Sequence, residues 1–242
     1  MFIPLRNELV SLTRKHPLLF FPLMRLNKWV YGYGGTPLIT KETELVIEGF
    51  FRCGNSFAIW AFLKSQPRAV TLANYTHAAA TIIQASRWGV PALVLIREPV
   101  QTILSLALKH PHLSIKQGLK DYIRFYTTIL PYQESYVLAT FQEVTTDFGE
   151  VIKRVNDRFA TNFVLFKHTP ENVQKVFEHI KQIDQKVEQG NAIKFSIPSA
   201  EKEKAKAVLK KELDSEELKP LIAQAEAIYQ EFVKRLRSRE AS

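Results

Sequence analysis

The sequence predicts an α/β fold: a three-layer α/β/α arrangement around a mostly parallel central sheet, followed by a helical C-terminal part. Three observations carry this. Short apolar runs of strand length (ELVIEGFF at Glu44–Phe51, RAVTLA at Arg68–Ala73, ALVLI at Ala92–Ile96, SYVLATF at Ser135–Phe141) alternate with segments of helical periodicity. ALVLI is apolar at every position, the pattern of a parallel strand covered on both faces. Beyond residue 166 the strand-like runs stop and only helix-like segments follow.

Each element has a local reason. After the first strand, Gly54, Asn55 and Ser56 supply a turn and a helix start, and Phe57–Lys64 continues as helix. Ala78–Trp88 carries Ala and Ile at helical spacing and is broken at Gly89–Pro91. Pro99 stands where the first residue of a helix belongs, with Val100–Lys109 behind it. Ser114–Leu130 reads as an amphipathic helix and Phe148–Phe159 as another. Glu171–Gln189 follows Pro170 and is ended by Gly190, Ser199 caps a further helix, and Leu218–Arg237 closes the chain. The 242 residues divide as an N-terminal layer (1–40), a core (41–165) and the helical part (166–242) of a single domain.

Composition narrows the function classes. Thirty-three Lys and Arg against 24 Asp and Glu give a net charge of +9, which suits an anionic partner and is equally compatible with a basic solvated surface. One cysteine excludes a disulfide framework and a Cys-based zinc site, and agrees with a cytoplasmic location. No helix-turn-helix, zinc or RNA-recognition pattern is present, so no nucleic-acid partner is expected. The longest apolar runs, such as Pro17–Met24 and Val90–Ile96, fall short of the roughly 20 residues of a membrane span. Arg6, Glu8, Arg14 and Lys15 interrupt what a signal peptide would keep apolar. The aromatic, basic stretch His16–Gly35 can touch a membrane interface or an apolar acceptor; packing on the domain is the plainer reading.

The segment GFFRCGNS (Gly49–Ser56) joins a strand to a helix in the outline of a P-loop, with Asn55 where a P-loop carries lysine. A kinase or ATPase needs that lysine on the phosphates and an acid holding Mg²⁺. ALVLI ends in Arg97 instead, which favours direct grip on an anion. The N–H groups at the helix start still form an anion site, and Arg52 can add a fork of hydrogen-bond donors. A phosphatase loop around Cys53 would need an arginine six residues on, where Ile59 stands.

A second segment, IREPVQTILSLAL (Ile96–Leu108), places Arg97 at a strand end, Pro99 at a helix start and Ser105 eight residues after the arginine. Together the two segments resemble the cytosolic-type sulfotransferases, which use 3′-phosphoadenosine-5′-phosphosulfate (PAPS). Arg52-Cys53-Gly54-Asn55-Ser56-Phe57 aligns with that family's Lys-Ser-Gly-Thr-Thr-Trp loop, which cradles the 5′-phosphosulfate. Arg97, Pro99 and Ser105 align with its Arg-x-Pro segment and serine, which grip the 3′-phosphate. The resemblance spans residues 44–159 and implies a P-loop-like nucleotide-binding core. It also implies that His77, in a Thr-His dipeptide after the second strand, is the general base, and that Phe141 lies near the adenine in place of the family's tyrosine. The family's late Arg-Lys-Gly clamp is not recognisable. Ser199, at the start of the basic helix in IPSAEKEKAKAVLKK (Ile197–Lys211), is the candidate for that role with help from Lys202, while the helix's lysines read as a solvated face.

The expected activity is therefore sulfuryl transfer from PAPS to a hydroxyl or amine on a small-molecule, glycan or lipid acceptor. His77 and Arg52 are the catalytic candidates. Cys53, Gly54, Asn55, Ser56, Phe57, Arg97, Ser105, Phe141 and Ser199, with Arg52, are the binding candidates, and no metal is expected. The alternatives are a degenerate P-loop kinase and a non-catalytic nucleotide- or polyanion-binding protein.

Overall fold

The computed structural model describes residues 11–31, 37–188, 191 and 194–240. Four strands, β1 (Leu45–Gly49), β2 (Leu72–Asn74), β3 (Ala92–Ile96) and β4 (Val137–Thr140), form one sheet in the order β2-β1-β3-β4. Every pairing is parallel, with Ile47 opposite Asn74, Ile47 opposite Leu93, and Ile96 opposite Thr140. β1, β2 and β3 are buried along their whole length, which is why their sequences show apolar runs rather than alternation. Gly49 permits the close approach of β1 to β3, since a Cβ there would stand 2.5 Å from the Leu95 carbonyl oxygen.

Helices flank the sheet. They are α1 (Pro17–Tyr31), α2 (Asn55–Ser65), α3 (Ala79–Trp88), α4 (Pro99–Lys109), α5 (Ile115–Ile129), α6 (Phe141–Thr146), α7 (Phe148–Phe159), α8 (Pro170–Val187), α9 (Ala200–Lys210) and α10 (Lys219–Glu240). α2 packs on β1 and α8; α3 packs on β1, β3, α1 and α5; α10 closes over α4 and α5. α8, α9 and α10 make the C-terminal part helical, as the sequence indicates. Gly190, read as the end of the helix that begins at Pro170, lies outside the described residues, as do 1–10 and 32–36 of the N-terminal layer.

Caps set several boundaries. Glu98 accepts from the Val100 and Gln101 amides and Pro99 opens α4; Ser114 caps α5; Ser199 caps α9 through the Lys202 amide. Strand limits depart from the sequence expectation: β1 ends at Gly49 rather than Phe51, and β2 spans Leu72–Asn74 rather than 68–73. Strand four stops at Thr140, and Phe141 opens the short helix α6. The reason is a capping box: Thr140 Oγ1 accepts from the Glu143 amide while the Glu143 carboxylate accepts from the Thr140 amide.

The core is continuous from sheet to helices. Two fully buried tyrosines of α5 reach the sheet's end: the Tyr126 hydroxyl donates to the Leu95 carbonyl and the Tyr122 hydroxyl to the Arg97 carbonyl, each at 2.8 Å. Burying these hydroxyls without partners would cost roughly 1–3 kcal/mol each. Satisfied as they are, they fix the backbone from which Arg97 projects.

Candidate functional site

The chain leaves β1 for β2 on one side and takes β3 on the other, so the carboxyl ends of β1 and β3 bound the crevice where the strand order reverses. The loop after β1 carries Arg52, and the loop after β3 carries Arg97. A cleft of about 440 Å³ opens there, lined among others by Arg52, Ser56, His77, Arg97, Ser105 and Phe141. That volume falls within the roughly 300–1,000 Å³ of small-molecule sites. A groove of about 660 Å³ between the 164–167 segment and α8 is larger. It borders none of the non-glycine residues with positive φ, three of which line the smaller cleft.

Backbone strain concentrates at the cleft. Among the described residues, the non-glycine positions with positive φ are Arg52 (65°), Tyr75 (57°), His77 (47°) and Ala160 (51°), and the first three border it. Gly54 adds φ 94°, a conformation that favours glycine, and a Cβ on it would press on the Phe141 ring at 3.2 Å. Gly54, the N-cap of α2, makes no side-chain cap bond, and Gly54, Asn55 and Ser56 line the cleft at this helix start.

The two motifs meet side chain to side chain. Arg52 Nε donates to Ser105 Oγ at 3.0 Å, and Arg97 Nη1 donates to the Arg52 carbonyl at 3.1 Å. The Arg97 guanidinium lies 4.0 Å from the centre of the Phe141 ring. Arg52 also reaches the C-terminal part, donating to Ser196 Oγ at 3.3 Å and to the Phe195 carbonyl at 3.1 Å. Burial pushes its pKa down to about 10, with Arg97 adding and Asp184 opposing. An anion entering between these two arginines relieves that unfavourable burial.

The loop's other residues divide. Ser56 lines the cleft. Asn55 is buried; its Nδ2 donates to the Phe50 carbonyl at 3.0 Å and its Oδ1 has no partner, so its side chain braces the loop. Cys53 is fully buried with Sγ 3.3 Å from the Tyr126 hydroxyl, and burial pushes the thiol up to about 11, the opposite of an activated nucleophile. Phe57 packs with Phe148, Phe166 and Phe177 while bordering the cleft.

His77 sits on the other wall, its ring 4.2 Å from that of Phe51. Nδ1 lies 2.9 Å from the Gly49 carbonyl and must donate to it, which leaves Nε2 as the lone-pair nitrogen. Burial pushes the imidazole pKa down to about 4, with Arg14 and Arg52 adding. Beneath it lies Glu48, fully buried in β1. Its carboxylate accepts from the Thr76 amide (2.6 Å), the Thr76 hydroxyl (2.7 Å) and the His77 amide (3.1 Å). Burial raises Glu48 to about 7 against these bonds.

Sequence reasoning missed Glu48 and Lys206 here, and gave Lys202 only as a helper to Ser199. Glu48 had a visible signal: a lone carboxylate inside an otherwise apolar strand is costly unless something holds it. The solvated-face reading of the α9 lysines is corrected at two positions. Lys202 and Lys206 are 6 % and 8 % exposed and line the cleft, because α9 packs this face on α4. Lys202 Nζ donates to the Phe195 and Ile197 carbonyls, and burial lowers its pKa to about 7, with Arg52 adding. Ser199 is spent on its helix cap and is not among the cleft's lining residues. Among the described residues no three His, Cys, Asp or Glu side chains gather as a metal-binding group, and no helix is long and apolar enough to cross a membrane.

No protein family and no curated protein matches this chain. What the site can do therefore rests on its geometry: a cleft lined by buried arginines and left-handed backbone, with an imidazole whose pKa is lowered by burial beside it.

Proposed function

We propose that the protein is a PAPS-dependent sulfotransferase with a three-layer, P-loop-like architecture. The observation that carries the reading is the union of the two motifs. Residues 53 positions apart meet in the Arg52–Ser105 hydrogen bond, and residues 45 apart meet in the Arg97–Arg52 contact, while His77, with Nδ1 engaged by the Gly49 carbonyl, lines the same cleft.

In this reading the amides of Gly54–Ser56 hold the 5′-phosphate of PAPS. Arg97 and Ser105 select the 3′-phosphate, and Lys202 and Lys206 supply the further charge for which Ser199 was the sequence candidate. Phe141 offers an aromatic face to the base. Arg52 leaves Ser105 for the bridging oxygen, where negative charge grows as the S–O bond breaks. His77 Nε2 takes the proton of the acceptor hydroxyl as that oxygen bonds to sulfur, and adenosine 3′,5′-bisphosphate departs. Gly49 and Glu48 stabilise the resulting imidazolium, with Glu48 Oε2 4.0 Å from Nδ1. The acceptor is a small molecule, glycan or lipid. A non-catalytic nucleotide-binding protein would need no imidazole at the cleft.

The test has two arms. Calorimetry compares adenosine 3′,5′-bisphosphate with AMP, and mass spectrometry follows PAPS-dependent sulfation across phenol, glycan and lipid acceptors. Equal affinity for the two nucleotides removes the basis of the reading. Preference for the bisphosphate without any turnover leaves a binding protein.

A further inference from the structure

We infer that the outward face of α1 docks on the surface of an anionic lipid bilayer. α1 is apolar on two sides. Pro17, Phe20 and Phe21 are buried on the inner side, which packs against α3. The outer side is not covered by any described residue: Leu18, Leu19, Leu23 and Leu26 are 83 %, 53 %, 49 % and 54 % exposed, and Pro22 is exposed among them. At helical spacing these five positions fall within roughly 140° of arc. A contiguous stripe of this kind differs from the scattered single apolar residues normal to protein surfaces.

The charge around the stripe identifies its occupant. From Leu9 to Lys41 the sequence holds no Asp or Glu, while Arg14, Lys15, Arg25, Lys28 and Lys41 are basic. Arg25 is exposed at the border of the stripe. An apolar face on a segment that carries Lys15, Arg25 and Lys28 and no acid matches an acyl-chain boundary under anionic headgroups, each basic residue near such a surface adding attraction. A second copy of this chain would bring the same cations against one another. The apolar run is far too short to span a membrane, so the helix lies in the interface plane. The chain just before α1 reaches the cleft: Arg14, three residues before α1, rests 5.0 Å from the ring centre of Phe51, which lines the cleft. On the reading of the cleft as a sulfotransferase site, docking would favour a membrane-borne acceptor; the docking itself does not depend on that reading.

The test is flotation of the full chain with phosphatidylcholine vesicles, with and without about 30 % phosphatidylserine. The expected result is partition at least about tenfold stronger onto the anionic vesicles, weakened by high salt, and lowered about tenfold or more in a Leu18→Glu/Leu23→Glu variant. The variant should unfold at the wild-type temperature and bind adenosine 3′,5′-bisphosphate as the wild type does, which separates lost docking from lost fold. Wild-type protein that floats with neither vesicle overturns the inference, as does a variant that floats equally well. A dimer that the same variant dissociates, without vesicle binding, would assign the face to a second copy. Vesicle binding that appears only after removal of residues 1–10 would assign it to that segment. Vesicle binding together with equal affinity for the bisphosphate and AMP would leave docking standing and remove the sulfotransferase reading.

Discussion

Glu48 holds His77 by its backbone: the carboxylate at the end of β1 accepts the His77 amide at 3.1 Å, and its Oε2 lies 4.0 Å from the ring's Nδ1. The same carboxylate takes the Thr76 amide and hydroxyl, so the left-handed turn at Tyr75–His77 is tied to the sheet rather than to a mobile loop. The imidazole is thereby aimed at the cleft by a group that never reaches the solvent. His77→Ala should lower turnover about 10²–10⁴-fold while leaving bisphosphate affinity unchanged, measured by steady-state kinetics and calorimetry. Wild-type turnover in that variant would remove His77 from the mechanism.

Glu48 should also mark the pH profile. Its ionisation near pH 7 places a negative charge beside His77 and makes the imidazole a stronger base, so kcat/KM should rise with pH through about 7. Loss of neutral His77 should appear separately, near pH 4 in the free enzyme. Glu48→Gln should erase the upper limb and keep the lower one. An unchanged profile with only a lower melting temperature would make Glu48 a purely structural brace.

Stability should respond in the opposite sense at the two groups. Folded Glu48 keeps a proton that the unfolded chain releases, so between its ordinary pKa of 4.5 and about 7 this group's contribution falls as pH rises. Folded His77 stays neutral where the unfolded chain is protonated, so between about 4 and 6.5 its contribution grows as pH rises. The two offset each other in the wild type. Denaturant titrations of Glu48→Gln should therefore show stability climbing more steeply from pH 4.5 to 6.5 than in the wild type.

Lys202 gives a binding prediction. At pH 8 a lysine with pKa about 7 is mostly neutral, and a phosphate beside it favours the charged form. Binding of adenosine 3′,5′-bisphosphate should then take up protons, visible as a dependence of the calorimetric enthalpy on the buffer's ionisation enthalpy. Lys202→Met should abolish most of that dependence. Proton release, or none, would mean that Lys202 does not meet the ligand.

The paired arginines should separate by role. Arg97→Ala should abolish the preference for the bisphosphate over AMP, which is expected to be at least about tenfold, the worth of one charge-assisted hydrogen bond. Arg52→Ala should lower kcat more than affinity, because its contact strengthens as the bridging oxygen gains charge, and Arg52→Lys should restore part of the rate. If Arg52→Ala weakened binding alone, Arg52 would be an anchor for the ground state.

By itself the sequence determined that four strands alternate with helices, most of the helices and the positions of the two loop motifs, because these depend on local interactions: apolar runs, proline at a first helical turn, serine and glutamate caps; the limits of β2 and the short helix α6 it did not give. Ala92–Ile96 and Phe148–Phe159 appear in the fold with the limits the sequence indicates. It left open what depends on neighbours distant along the chain. The strand order, which puts the Arg52 and Arg97 loops at one crevice, follows from how helices cover the sheet. Lys202 and Lys206 look like any solvated helix face until α9 packs on α4, and Asn55 looks like a ligand-reaching side chain until it turns onto the Phe50 carbonyl. The capping box that makes Phe141 a helix start was readable in Thr140 and Glu143, but a strand ending in an aromatic fits the same letters. Burial is a tertiary property, and the shifted charges of Glu48, His77, Arg52 and Lys202 come from burial first of all. The tertiary structure alone therefore decided which of the legible residues share one desolvated cleft.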